Sequence, residues 1–209
     1  QYLSHFDAGL RRDFGRQLAA NEGGWRAMAD LTRGYFGIGV EGISKPMNVG
    51  NLFRSAHAFG ASFVFTVDAG LRLSDAKSDT SRTHDSVPYY DWSNVAAMAL
   101  PDRCTLVGVE LLDEAVDLPS FRHPRGAAYV LGRERGSLSK AMVEKCDFVV
   151  RIPTRFCINV ATAGAIVMYD RMLSLGRFAE RPVTPHGRPT PLPEHIFGPA
   201  KGLRSRQSA

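Results

Sequence analysis

The chain has 209 residues, 44% of them hydrophobic and 22% charged, with a formal net charge of +5. That size and apolar share suit one ordinary domain with a full core, and no apolar run approaches the length that crosses a bilayer, so a cytoplasmic protein with no membrane partner is expected. Three cysteines, Cys104, Cys146 and Cys157, and six scattered histidines offer neither a disulfide framework nor metal-ligand spacing, which suits a reducing compartment and predicts no metal.

The opening stretch QYLSHFDAGLRRDFGRQ carries acids and no signal-peptide core. Phe6, Leu10, Phe14 and Leu18 recur at helical spacing, and Trp25, Met28 and Leu31 lie on a second segment beyond Gly23 and Gly24. Residues 1–34 thus read as a short helical extension. From Tyr35 the pattern changes: YFGIGVEGI, SFVFTVDA, CTLVGVELL, AAYVLG and DFVVRIP read as strands, with NVGNLFRSAHAFG and INVATAGAIVMYDRML as helices. This alternation predicts an α/β domain over residues 35–176, built on a mostly parallel sheet. Residues 177–209 hold six of the twelve prolines and six basic residues against two acidic ones, whereas the rest of the chain has twenty basic against nineteen acidic. The segment reads as an extended arm; a solvated tail and a polyanion-binding element are both compatible with it.

In parallel sheets ligands bind beyond the carboxyl ends of the strands. Four loops lie there: SKPMNVGN, the LLDEAVDL region, GRERGSLS and PTRFCIN. GIGVEG, with Gly37, Gly39 and Gly42, also spells the dinucleotide fingerprint, and Asp68 could serve as its ribose-binding acid. Its glycines, however, fall inside the apolar run, and the helix is expected only beyond Pro46 and Asn48. A nicotinamide-dependent oxidoreductase is therefore the third-ranked alternative.

In the first loop Asn48 is a candidate helix cap, and Val49, Leu52, Phe53, Ala56 and Phe59 supply an apolar face. Arg54 stands outside that face, where it is either simply solvated or able to grip a phosphate with its planar donors. In GRERGSLS, Gly132 and Gly136 permit close backbone approach, and Glu134 could accept from backbone amides or pair with an arginine. An exposed turn is an equal reading. In PTRFCIN, Asn159 can cap the helix that follows, and Ala161, Gly164 and Ala165 allow that helix to pack closely. No nucleophile elbow or Ser, His and Asp arrangement points to a hydrolase.

Taken together and in order, KPMNVGNLFRSAHAFGA, VLGRERGSLS followed by CDFVVRIP, and CINVATAGAIVMYD resemble the SpoU, or TrmH-like, branch of the SPOUT RNA methyltransferases over roughly Tyr35 to Leu175. The resemblance implies a Rossmann-like, mostly parallel sheet whose C-terminal part is tied into a deep trefoil knot, a rare exception to the rule against threading. It also implies S-adenosylmethionine as cofactor, held by Val109, Leu131, Gly132, Ile152, Cys157 and Ile158, and a homodimer with the Asn159 helix at or near the interface. The activity implied is methyl transfer to a ribose 2′-hydroxyl of transfer or ribosomal RNA. Arg54, Asn48, Glu134 and Asn159 match the polar positions of the three motifs and are the catalytic candidates, with Arg54 anchoring the target phosphate and ribose.

Cys157 stands where many relatives have serine, and Lys45 precedes the proline where an acid or amide is frequent. Arg133 and Arg135 are not fixed by the motif and are expected to form a basic rim or to be simply solvated. With only a short extension ahead of the sheet, RNA recognition is expected to use the dimer surface, that extension and the basic arm. A catalytically silent knotted RNA-binding protein is the second alternative.

Overall fold

The computed structural model describes residues 34–70, 87–133, 136–176, 178 and 181–187. The helical extension read from residues 1–34 lies outside the described residues but for Gly34; so do Glu134, Arg135 and most of the C-terminal arm. The chain divides into two compact units, Gln1–Gly176 and Arg177–Ala209. In the second, Phe178 and Val183 are exposed.

Seven strands form one sheet: β1 Tyr35–Glu41, β2 Phe63–Val67, β3 Tyr89–Trp92, β4 Thr105–Val109, β5 Val116–Asp117, β6 Gly126–Leu131 and β7 Phe148–Arg151. Their order across the sheet is β3-β2-β1-β6-β4-β7-β5, and every pairing among them is parallel. Three helices accompany them: α1 Pro46–Phe59, α2 Lys140–Lys145 and α3 Val160–Leu175. The five long apolar runs are the strands they were expected to be; four are shorter than their runs, and β6 keeps the length of AAYVLG shifted back by one residue. β1 stops at Glu41 because Gly42 turns the chain with φ +63, a conformation a side chain would strain.

Both faces of the sheet are covered, so its central strands are apolar on both sides. On one face Ile38, Val40, Tyr129 and Leu131 pack under Leu52 and Phe53 of α1 and Val167 and Met168 of α3. On the other, Phe63, Phe65, Trp92, Ala128 and Val130 pack with Leu138 and Met142. Two glycines of GIGVEG, Gly37 and Gly39, belong to this packing. Gly37 pairs with Phe63 and Gly39 with Phe65, and a Cβ on either glycine would fall within 2.5 Å of its partner's ring. The rings of Phe63 and Phe65 therefore lie over bare backbone, with ring centroids 6.0 Å apart.

Where α1 begins, the structure corrects the sequence reading. The helix starts at Pro46 and its N-cap is Lys45, extended at φ −99, ψ 111, with no side-chain cap. Asn48 is thus inside the first turn and does not cap. Proline suits the first helical position because its missing N–H has no partner there, and it holds the preceding residue extended. α3 does start as read: Asn159 Oδ1 accepts from the N–H of Ala161 at 2.9 Å and of Thr162 at 3.4 Å. Gly164 lets α3 sit tightly on α1, since a Cβ there would come within 2.3 Å of Leu52 Cδ1. Ala161 is buried, while Ala165 is only half-buried.

Near the amino-terminal side of the sheet a polar network is sealed into the core. Arg171 of α3, 4% exposed, donates to the carbonyls of Tyr35 and Arg125 at 3.2 and 2.8 Å, to that of Pro124, and lies 5.3 Å over the Phe36 ring. His123 bonds Tyr129 Oη through Nδ1 at 2.6 Å and Asp170 through Nε2 at 2.9 Å. Burial pushes the His123 imidazolium below its usual range against the opposing pull of Asp170, and pushes the Tyr129 phenol up to about 12.

Candidate functional site

At the opposite, carboxyl side of the sheet the loops after β1, β4, β6 and β7 enclose a cavity of about 340 Å³, a size that suits a small ligand. Val109, Leu131, Ile152, Ile158, Val160 and Ala163 give it apolar walls; Lys45, Asn48, Glu110, Arg133, Thr154 and Asn159 supply polar groups. The six residues matched to a cofactor site, Val109, Leu131, Gly132, Ile152, Cys157 and Ile158, all line this one cavity. So do Asn48 and Asn159, which stand at the starts of two helices 111 residues apart and share a hydrogen bond, Asn159 Nδ2 donating to Asn48 Oδ1 at 3.1 Å. The cap fixes the sense of that contact. With Asn159 Oδ1 accepting from the helix amides, its NH₂ is left to point at Asn48.

Arg54 is exposed on α1 and does not line the cavity. It stands about 9 Å further along the helix axis than Asn48. Glu134 falls outside the described residues.

Two carboxylates that sequence reasoning passed over hold the loop that contains Glu134. Glu110, the residue after β4, accepts from Leu111 N–H at 2.9 Å and from Leu138 N–H at 2.8 Å. Glu41, the last residue of β1 and 2% exposed, accepts from Ser139 N–H at 2.8 Å. Ser139 in turn caps α2 through Met142 N–H at 3.1 Å. Through these bonds the ends of β1 and β4 hold the backbone at Leu138 and Ser139 in place. A Cβ on Gly132 would sit 2.9 Å from both Glu110 Oε2 and the Leu138 nitrogen; the loop follows this path because residue 132 has no side chain. The signal available in the sequence was position: both acids terminate apolar strand runs at the carboxyl edge.

Arg133 has a more specific setting than a basic rim. It pairs with Asp68 at 3.2 Å, and a Cβ on Gly42 would lie 2.4 Å from its Nε, so it joins the loop after β6 to those after β1 and β2. Asp68, the would-be ribose acid of a nicotinamide site, is engaged in that pair and is not part of the cavity lining. Cys157 is exposed at the cavity, whereas Cys104 and Cys146 are pushed up to about 11 and about 12 by burial, which keeps them protonated. Among the described residues no cluster of His, Cys, Asp and Glu could hold a metal ion, and no helix is long and apolar enough to cross a membrane.

The sequence profile of the SpoU rRNA Methylase family matches residues 36–169, the span that contains all of the sheet but Tyr35 and the whole of the cavity lining. The chain belongs to this family. Within it, the chain is 29% identical over 140 residues to the 23S rRNA (guanosine-2′-O-)-methyltransferase RlmB of Nitrosomonas europaea, a match covering 63% of this chain and 53% of that one. It is 28% identical over 142 residues to the tRNA (guanosine(18)-2′-O)-methyltransferase TARBP1 of Mus musculus, covering 61% of this chain and 9% of that one. The chain thus matches about half, or far less, of the length of these relatives. The AdoMet-bound rRNA methyltransferase from Sinorhizobium meliloti superposes with a TM-score of 0.62 at 20% identity, over 69% of this chain and 58% of that one. The A. aeolicus TrmH/SpoU tRNA modifying enzyme gives 0.57 at 17% identity, over 77% and 83%. At these identities the likeness establishes a shared SpoU fold.

Proposed function

We propose that this SpoU-family chain is an S-adenosylmethionine-dependent RNA methyltransferase acting on a ribose 2′-hydroxyl. The observation that carries the reading is the convergence of all six cofactor candidates on one cavity, beside the Asn48–Asn159 hydrogen bond. Family membership and the 2′-O-methyltransferase names of the relatives support it. The residues fit the cofactor. Apolar walls from Val109, Leu131, Ile152 and Ile158 suit an aromatic base, and the bare backbone at Gly132 leaves strand-end amides and carbonyls accessible for its polar edge.

When bound, S-adenosylmethionine supplies an electrophilic methyl group. The chain's part is alignment and proton handling: a ribose hydroxyl must be held in line with that methyl and must lose its proton as the new O–C bond forms. A guanidinium has donors only and no lone pair to offer a proton, so Arg54 acts as a phosphate and ribose anchor rather than a base, and a phosphate oxygen of the RNA takes the proton. Asn159, locked by its capping role, orients Asn48 at the cavity wall. Glu134 is assigned a catalytic part by its position in the second motif alone.

Two further elements belong to the same reading. The chain from β6 onward is threaded as a deep knot; in support, α3 leaves β7 on one side of the sheet and returns across β4 and β6 to pack on α1 above β1. Two chains pair through α3, whose Ile166 and Tyr169 are exposed apolar residues one turn apart. Transfer RNA and ribosomal RNA are both compatible as substrates.

The test is transfer of labelled methyl from S-adenosylmethionine to RNA pools, with nucleoside analysis. Wild type should yield a 2′-O-methylated nucleoside, and Arg54→Ala should bind cofactor normally while transferring about a hundredfold less or worse. Near-normal transfer by the variant removes Arg54 from the mechanism; absence of cofactor binding by the wild type removes the reading.

A further inference from the structure

Beside the cavity a large aromatic side chain stands in water. Phe156 is 76% exposed, although it sits between Thr154 and Cys157, which both line the cavity. The loop that carries it is not slack. Thr154 N–H donates to Ile152 O at 2.7 Å, and Thr154 Oγ1 donates to Phe156 O at 2.9 Å, so the backbone that carries the ring is set before any ligand arrives. In the facing first turn of α1 Met47, 67% exposed, precedes Asn48, which is tied to Asn159 across the cavity mouth.

Charge decides what kind of partner this ring fits. Arg155, the neighbour of Phe156, is exposed, as are Lys45 and Arg54 on the facing loop and helix. Among the described residues the one carboxylate in the cavity lining is Glu110, and both its oxygens are engaged by backbone N–H groups. Cores of protein interfaces are depleted of charge, whereas an aromatic face among cations is the arrangement that takes up single-stranded nucleic acid, bases stacking on the ring while the cations follow the phosphates.

We infer that Phe156 is a stacking platform for an unpaired base of the RNA substrate, next to the nucleotide whose ribose enters the site. The inference rests on the RNA methyltransferase reading and adds to it a residue that grips the base rather than the cofactor or the reacting hydroxyl. Stacking needs only a π-face, so the contact favours single-stranded or looped RNA over a closed duplex without selecting one base.

The probe is a short single-stranded oligoribonucleotide carrying 2-aminopurine, whose fluorescence is quenched on stacking. Wild type should quench it. Phe156→Ala should bind it about ten- to a hundredfold more weakly with the quench lost, Phe156→Trp should restore both, and on a methylated RNA the loss should fall in KM rather than kcat. Cofactor titration and sedimentation of the same variants separate the possible failures. Equal quenching by Phe156→Ala, or no quenching by wild type, overturns the stacking role while leaving the methyltransferase reading intact. A change of mass in Phe156→Ala assigns the ring to an interface between copies and overturns it as well. Wild type that quenches the probe yet fails to bind S-adenosylmethionine retains the stacking surface and overturns the parent reading.

Discussion

The two sides of this sheet solve opposite problems with the same helix. α3 starts at the cavity, where Asn159 caps it, and near its other end Asp170 and Arg171 enter a buried network with His123 and Tyr129. In that network donors meet acceptors within the protein: Arg171 reaches three carbonyls and a phenol, and the His123 nitrogens are both engaged. At the carboxyl side the chain keeps a cavity, bare backbone at Gly132, and loops pinned from beneath by Glu41 and Glu110. Satisfied polar groups confer stability; a held-open cavity confers binding, and the two should be separable by mutation.

The sharpest way to break the first side is Arg171→Met. Removing a buried cation that serves several carbonyls should cost about 3 kcal/mol, read as a lower urea midpoint, while cofactor affinity of the folded fraction stays at the wild-type value. Gly132→Ala should do the reverse. Its Cβ meets Glu110 and the Leu138 amide, and displacing them should weaken S-adenosylmethionine binding about tenfold, in line with the cost of overpacking, with a smaller change in midpoint. Comparable losses of both quantities in either variant would erase the division between the two sides.

A smaller effect concerns pH. The neutral form of His123 is favoured in the folded state because burial depresses its pKa, Asp170 and the Arg171 charge pulling in opposite senses. The unfolded chain then binds more protons as pH falls through about 6.5, so stability should decline from there toward the folded value. His123→Gln should flatten that part of the profile in urea unfolding at a series of pH values; an unchanged slope would locate the proton uptake elsewhere. Smallest in energy is the thiol pattern. An alkylating reagent at neutral pH should label Cys157 and spare Cys104 and Cys146, which burial keeps protonated, and S-adenosylmethionine should slow the labelling of Cys157.

What the sequence made legible follows from the same physics. Long apolar runs gave the five main strands, and the spacing of Leu52, Phe53 and Ala56 gave α1, because burial writes itself in periodicity. β3, YYDW, and the two-residue β5 are too short to show any period, and the six-residue α2 depends on its Ser139 cap rather than on an apolar stripe. The start of α1 was misplaced by favouring Asn48 as a cap over Pro46 at the first helical position. The cavity lining came through likeness of motifs, since nothing in Val109 or Ile152 alone speaks of a ligand. Glu41 and Glu110 escaped notice because a carboxylate that serves backbone amides looks, in a sequence, like any solvated acid.

The glycine and phenylalanine pairs of β1 and β2 carry a consequence for inheritance. Gly37 with Phe63 and Gly39 with Phe65 are each one volume divided between two strands. A descendant cannot gain a side chain at Gly37 without trimming the Phe63 ring, so that pair is bound to change as a couple, whereas at Gly39 the Phe65 carbonyl oxygen stands 2.2 Å from the new Cβ and no trimming of the ring makes room. Two of the three glycines that imitate a nucleotide fingerprint face aromatic rings, and the third is a turn.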